Sequence, residues 1–237
     1  MVDFIESLKS PFRNWKALLL GIAIGAMPVI NILLVGFGLG EAKRLIRGKK
    51  KPMTWWGMSQ ILYDSIAGLA ITLCYFLLFF LLLAVLAGPI LVKVLMVVKQ
   101  SGLVENVLWG TSPFKLASII SSLSGKLAVI ATDNLEILAF TSLVGITFYY
   151  LLPFSLVNYA RKQEAGSAFS AREIKRAFNP KYFFYWALFH FYILVLFVVL
   201  SLLFFLPILN FLLDGFMLFV YFSTGFNLFT QLFIENR

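Results

Sequence analysis

Residues 65–92 read SIAGLAITLCYFLLFFLLLAVLAGPILV, without one Asp, Glu, Lys or Arg. A helix needs about 20 apolar residues to cross the hydrocarbon core of a bilayer. Three more stretches are equally free of those charges, 137–160, 182–213 and 215–234. Barrel strands alternate apolar and polar residues, whereas these runs are apolar on every face. Helices satisfy their own backbone groups, as lipid demands. The fold class is therefore all-α: a polytopic transmembrane helical bundle with four clear spans and an N-terminal Pro-broken element.

Composition agrees. The chain is 61% hydrophobic with mean hydropathy +0.91, above the share in soluble domains. Its 237 residues leave room for a single integral membrane domain, 1–237. Net charge is +9. The cations gather in two short loops, 41–64 and 161–181, so orientation explains them better than nucleic acid does. The lone Cys74 lies in an apolar run and cannot form an intrachain disulfide. Acidic Asp3 and Glu6 ahead of the first apolar run argue against a cleaved leader, and neither end carries a lipidation signal.

Working outward, residues 17–40 are uncharged, glycine-rich and broken by Pro28. Proline removes a backbone donor and disfavours helix in the residue before it. Two readings compete. One is a single kinked span. The other is a re-entrant hairpin turning near residues 27–31, with arms of about 18 Å at 1.5 Å per residue. The first certain span is expected to end near Gly88-Pro89. The segment 93–136 carries an amphipathic helix over 115–130, with Leu116, Ile119, Ile120, Leu123, Leu127 and Ile130 at helical spacing. Ser170-Ala171-Arg172-Glu173 is a capping-box pattern that starts a short helix before Asn179-Pro180. Pro207 and Asn210 mark a turn, with one span up to about Leu206 and the last from about Phe211.

Basic loops mark the cytoplasm. Two spans separate the two basic loops, so both are cytoplasmic and 93–136 is extracytoplasmic. The C-terminus is cytoplasmic, and the hairpin reading places the N-terminus there too. A weak internal echo links Pro52 before Trp55 and Trp56 with Pro180 before Tyr182 and Phe183. It also links Pro89-Ile90-Leu91 with Pro207-Ile208-Leu209. Duplication is one explanation.

Pro28-Val29-Ile30-Asn31 leading into Gly36-Phe37-Gly38, Pro52 ahead of the Trp pair, Pro153 ahead of Asn158-Tyr159-Ala160, and the Ala168 to Pro180 segment carry a family look. The chain resembles an uncharacterised prokaryotic multi-pass membrane protein family, domain of unknown function 4013. The resemblance implies a six-helix bundle with both termini cytoplasmic. It implies no activity and supplies no functional residues.

Catalytic, cofactor and metal constellations are not found. One His and one Cys lie far apart, and a metal site needs several converging ligands. Gly36, Gly38 and Gly40 lack the context of a phosphate loop and instead let helices approach closely. His190 and Asp214 form the candidate intramembrane polar site. Asp64 and Asp214, both at span ends, are expected to pair with nearby Lys or Arg. Lys49, Lys50, Lys51, Trp55, Trp56, Arg172, Lys175 and Arg176 are candidate contacts for anionic lipid headgroups. The expected function is a non-enzymatic membrane component of the cell membrane, without cofactor. Its partners would be the lipid bilayer or another membrane protein. The alternative is a small transporter or channel built on Pro-broken helices, and against that stands the lack of a buried carboxylate or a polar stripe.

Overall fold

A computed structural model of the chain describes residues 2–49, 53–55, 57–103, 105, 113–202 and 207–235. Every regular element among them is helical. In chain order these are α1 (Phe4–Lys9), α2 (Trp15–Ala26), α3 (Leu33–Ile46), α4 (Met58–Gln100), α5 (Pro113–Asp133), α6 (Leu135–Lys162), α7 (Ala171–Ile174), α8 (Pro180–Ser201) and α9 (Pro207–Glu235), with short 3₁₀ turns between. Four of them, α4, α6, α8 and α9, are long and apolar enough to cross a membrane. The described residues fall into two compact units, residues 1–74 with 149–237, and residues 75–148.

In the first unit the break at Pro28 is local chemistry. Met27, the residue before proline, is extended (φ −92°, ψ 115°), and α2 stops at Ala26. Val29 follows at φ 70°, a left-handed conformation that a β-branched residue adopts only under strain. A 3₁₀ turn over Ile30–Ile32 then leads into α3. The two arms hold 12 and 14 residues, about 18 and 21 Å, well short of a bilayer core of about 30 Å.

Both arms pack on α9, and their registers settle the choice between span and hairpin. Descending α2, Gly25 meets Gly215 and Gly21 meets the Phe219 ring. Below that, Ser7 bonds Asn227 and the Asp3 amide bonds Gln231. On α3 the order reverses: Phe37 lies against Phe219, Gly38 under Phe226, and Glu41 reaches Asn227. Ser10 and Glu41 therefore bond to one another. The element is a hairpin whose two ends meet, not a single span. Its core is Ala17, Ile24, Leu34, Phe37 and Phe219, with Trp55 stacked on Phe37.

The close approaches need glycine. A methyl group on Gly25 would sit 2.7 Å from the Gly215 carbonyl oxygen, and one on Gly36 would sit 2.1 Å from the Ile61 carbonyl oxygen. Of the most apolar window of α9, 67% is buried, against 6% for α8. So α9 is the central post, and α8 turns its apolar surface outward, as a lipid-facing helix would.

Three expectations give way. Pro89 does not end its span: α4 runs on past it to Gln100, 43 residues in all and about 65 Å. Apolar sequence resumes directly after it, from Ile90 to Val92. The echo between Pro89 and Pro207 breaks here too, since Pro207 opens α9 whereas Pro89 lies inside α4. The capping box also fails in both halves: Ser170 makes no side-chain cap, and Glu173, instead of reaching back, pairs with Arg161 and Arg176. Asn179 does cap α8, its side chain accepting from the Lys181 amide at 2.7 Å with Pro180 next. The expected end near Leu206 lies outside the described residues.

In the second unit, α4 and α6 meet through Tyr75, Phe79 and Phe148 (ring centroids 6.0–6.1 Å apart) and through Gly145 against the Phe79 ring. On α5 the less exposed described positions are Ile119, Leu123, Leu127, Ile130 and Ala131, whereas Ile120, expected on the same stripe, is exposed.

Candidate functional site

Among the described residues, polar clusters and an apolar cavity stand out in the first unit. The first cluster lies where the hairpin ends meet. Along α3, Leu34, Phe37, Gly38 and Glu41 share one face at helical spacing, so a carboxylate continues a buried apolar stripe. Facing it, α9 presents Ser223, Asn227 and Gln231 four residues apart. Ser10 donates to Glu41 Oε1, Asn227 Nδ2 donates to Oε1 at 3.1 Å, and Ser223 donates to Oε2 at 3.1 Å. Ser7 donates to Asn227 Oδ1 at 3.1 Å, and Gln231 Nε2 donates to Ser7 Oγ at 3.0 Å. Glu41 is 8% exposed. Burial pushes its carboxyl above the ordinary glutamate range, and the three donors and Arg13 only partly oppose this. The space beside it is about 10 Å³, room for about one water. A carboxylate so surrounded clasps the N-terminal segment, α3 and α9 together.

The second cluster is the buried pair of Lys43 and Asp64, joined by a hydrogen-bonded salt bridge. Gln60 also donates to Asp64 Oδ1 at 3.1 Å, and Lys43 lies 5.7 Å from the Tyr159 ring centroid. Burial pulls the Lys43 ammonium below the ordinary lysine range, although Asp64 pulls the other way. Here the expected cation for Asp64 is found. The third cluster anchors the second basic loop. Glu173 accepts from Arg176 at 2.9 Å and pairs with Arg161 at 3.6 Å. Tyr150 Oη donates to the Ala177 carbonyl at 2.5 Å.

Cross-links then gather the basic segments at one end of this unit. Lys43 lies over Tyr159, Arg161 over Phe233, and Lys181 bonds Glu235 at 2.7 Å.

The cavity, of about 210 Å³, lies among α3, α4, α6, α8 and α9. It is lined by Val35, Thr72, Tyr149, Leu152, Pro153, Leu156, Phe189, Tyr221, Phe222, Gly225, Phe226 and Phe229. Nine of the twelve are apolar or glycine. Tyr221 Oη lies 2.9 Å from Tyr149 Oη, which lies 2.8 Å from His190 Nε2; His190 Nδ1 lies 2.8 Å from the Trp186 carbonyl oxygen.

The sequence-derived candidates divide. His190 backs the cavity through Tyr149. Asp214 is exposed on α9, shares no hydrogen bond with His190, and has no ion pair among the described residues. Lys49, Arg172 and Lys175 are exposed, whereas Arg176 is half-buried on Glu173. Trp55 turns inward, with Nε1 donating to the Ala17 carbonyl at 3.0 Å. Lys50, Lys51 and Trp56 lie outside the described residues. Two features that sequence reasoning took as absent are present: a buried carboxylate, Glu41, and a polar stripe on α9. Their signal was the spacing 34, 37, 38, 41 on one helix and 223, 227, 231 on the other.

A family model described as "Protein of unknown function (DUF4013)" matches residues 19–205. No curated protein and no solved structure matches.

Proposed function

We propose, for a chain that belongs to the DUF4013 family of proteins of unknown function, a non-enzymatic role as a multi-pass component of the cell membrane that holds a lipid or other slender apolar ligand. The observation that carries this reading is the apolar cavity of about 210 Å³. That is below the roughly 300 Å³ of drug-sized pockets. The cavity wall is apolar apart from Thr72, Tyr149 and Tyr221, which suits an apolar chain.

The charge distribution supports an orientation. The basic segments meet at one end of the first unit, together with residues near both termini. Positive loops face the cytoplasm, so this end is read as cytoplasmic and 93–136 as extracytoplasmic. Lys49, Arg172 and Lys175, exposed there, together with Lys50 and Lys51 from the same loop, are read as holding anionic headgroups at about 1 kcal/mol per cation. Any protein partner would be another membrane protein.

The test is lipid analysis of protein purified in mild detergent, wild type against Gly225→Leu. Gly225 and Phe189 both line the cavity, and a Cβ at position 225 meets the Phe189 ring at 3.1 Å, so a leucine pushes that ring aside and crowds the cavity. Retained lipid should fall severalfold in the variant, with fold and yield intact. Equal lipid in both overturns the cavity reading. The buried Glu41 favours a second reading, proton or cation transport. Ion flux into liposomes that disappears in Glu41→Gln would support it.

A further inference from the structure

Resting on the lipid-cavity reading, the hydrogen-bond polarity of the cavity wall names the head of the ligand. Three of the residues that line it carry side-chain hydroxyls, Thr72, Tyr149 and Tyr221. Each has one hydrogen to give and two lone pairs to offer. Thr72 Oγ1 donates to the Gly68 carbonyl at 2.8 Å. The direction of the other two is fixed from the far end. The Trp186 carbonyl can only accept, so His190 Nδ1, 2.8 Å away, carries the ring hydrogen. In the neutral imidazole Nε2 is then an acceptor, and Tyr149 donates to it. Tyr149 oxygen in turn accepts from Tyr221. All three hydroxyl hydrogens are committed, and only lone pairs remain. Pro153, also in the wall, adds to this bias, for it has no N–H to return to the Tyr149 carbonyl.

We propose that the cavity selects an apolar chain carrying an alcohol O–H, which donates to the Tyr149–Tyr221 oxygens while its chain fills the space beside Phe189 and Leu156. An ether, ester or ketone of the same length has no hydrogen to offer and meets lone pairs.

The experiment uses the full chain in nanodiscs with two photoreactive probes, a diazirine-bearing hexanol and its methyl ether. The worth of one net hydrogen bond is a severalfold change in affinity, so the alcohol should label at severalfold lower concentration than the ether. Gly225→Leu should lose labelling by both. Tyr149→Phe frees the Tyr221 hydrogen, and His190→Phe frees that of Tyr149. Each should bring the alcohol-to-ether ratio toward one, and either variant suffices if the other misfolds. Equal labelling of the wild type by both probes, abolished by Gly225→Leu, overturns this proposal and leaves the lipid cavity standing. An ether that outcompetes the alcohol overturns it as well, by showing that the chain of hydrogens runs the other way. Labelling by neither probe, or labelling indifferent to Gly225→Leu, overturns both readings.

Discussion

Replacing Glu41 tests whether the polar junction is a clasp. Three buried donors converge on this one carboxylate, from Ser10, Ser223 and Asn227. In Glu41→Ala each loses its acceptor. The two serines, 3.3 Å apart, can turn toward one another, but the Asn227 amide keeps only a long contact to Ser10 at 3.4 Å. A buried unsatisfied group costs about 1–3 kcal/mol. One to two such groups plus the small void give about 3 kcal/mol, a shift of somewhat over 100-fold in the folding equilibrium. Glu41→Gln keeps an oxygen acceptor and should cost about 1 kcal/mol. The two variants also differ from wild type in pH dependence. Burial raises the Glu41 carboxyl in the fold, so the native state binds its proton more tightly than the unfolded chain does. The stabilisation is full below the unfolded value of about 4.3 and is lost as pH rises through the folded value, at up to about 1.4 kcal/mol per unit. Reversible unfolding in mixed micelles, followed by fluorescence of Trp55 and its neighbours, reads both effects. Glu41→Gln should flatten the decline above about pH 4.5. A variant that keeps the wild-type slope, or a Glu41→Ala protein as stable as wild type, refutes the reasoning.

Breaking the Lys43–Asp64 pair by Asp64→Ala leaves a buried ammonium unpaired and should cost about 3–5 kcal/mol, whereas Lys43→Met with Asp64→Leu should cost far less; denaturant midpoints compare them. Gly25→Leu drives a side chain into the Gly215 backbone, which cannot yield as a side chain would. It should lower stability by at least about 1–3 kcal/mol and loosen the hairpin, read as faster proteolysis near Pro28. Val29→Gly relieves a strained conformation at φ 70° and should raise stability by about 1 kcal/mol, read as a higher melting temperature. For orientation, single cysteines at Lys126 and Arg172, both exposed, in a Cys74→Ala background should respond oppositely to an impermeant thiol reagent on intact cells. The first should label and the second should not.

The long helices were legible because lipid imposes a length and a composition that soluble folds do not reach. The break at Pro28 was legible for a local reason, the clash that forces Met27 out of helix. Whether the chain turned back there was not local. It depended on Gly25 finding Gly215 and on Glu41 finding Asn227, contacts across nearly two hundred residues. The same rule misread Pro89, where apolar sequence on both sides keeps α4 continuous. Glu41 stands first in a run of charges, so it read as part of a solvated loop, yet its spacing from Leu34 and Phe37 places it on the buried face. Trp55 looked like half of an interfacial pair, but its ring stacks on Phe37 at 4.6 Å. Of the two intramembrane candidates, His190 lies behind the cavity wall through Tyr149, whereas Asp214, expected to pair with a nearby Lys or Arg, is exposed. Tyr149 and Tyr221, which complete the chain to His190, carry no sequence signal among so many aromatics.

The most direct test is an experimental structure of the full chain in nanodiscs made from the lipids of its native membrane. Elongated density should fill the cavity beside Phe189, Leu156 and Gly225, with its polar end about 3 Å from the Tyr149–Tyr221 oxygens. A cavity that is collapsed, or that holds only water, would contradict the account.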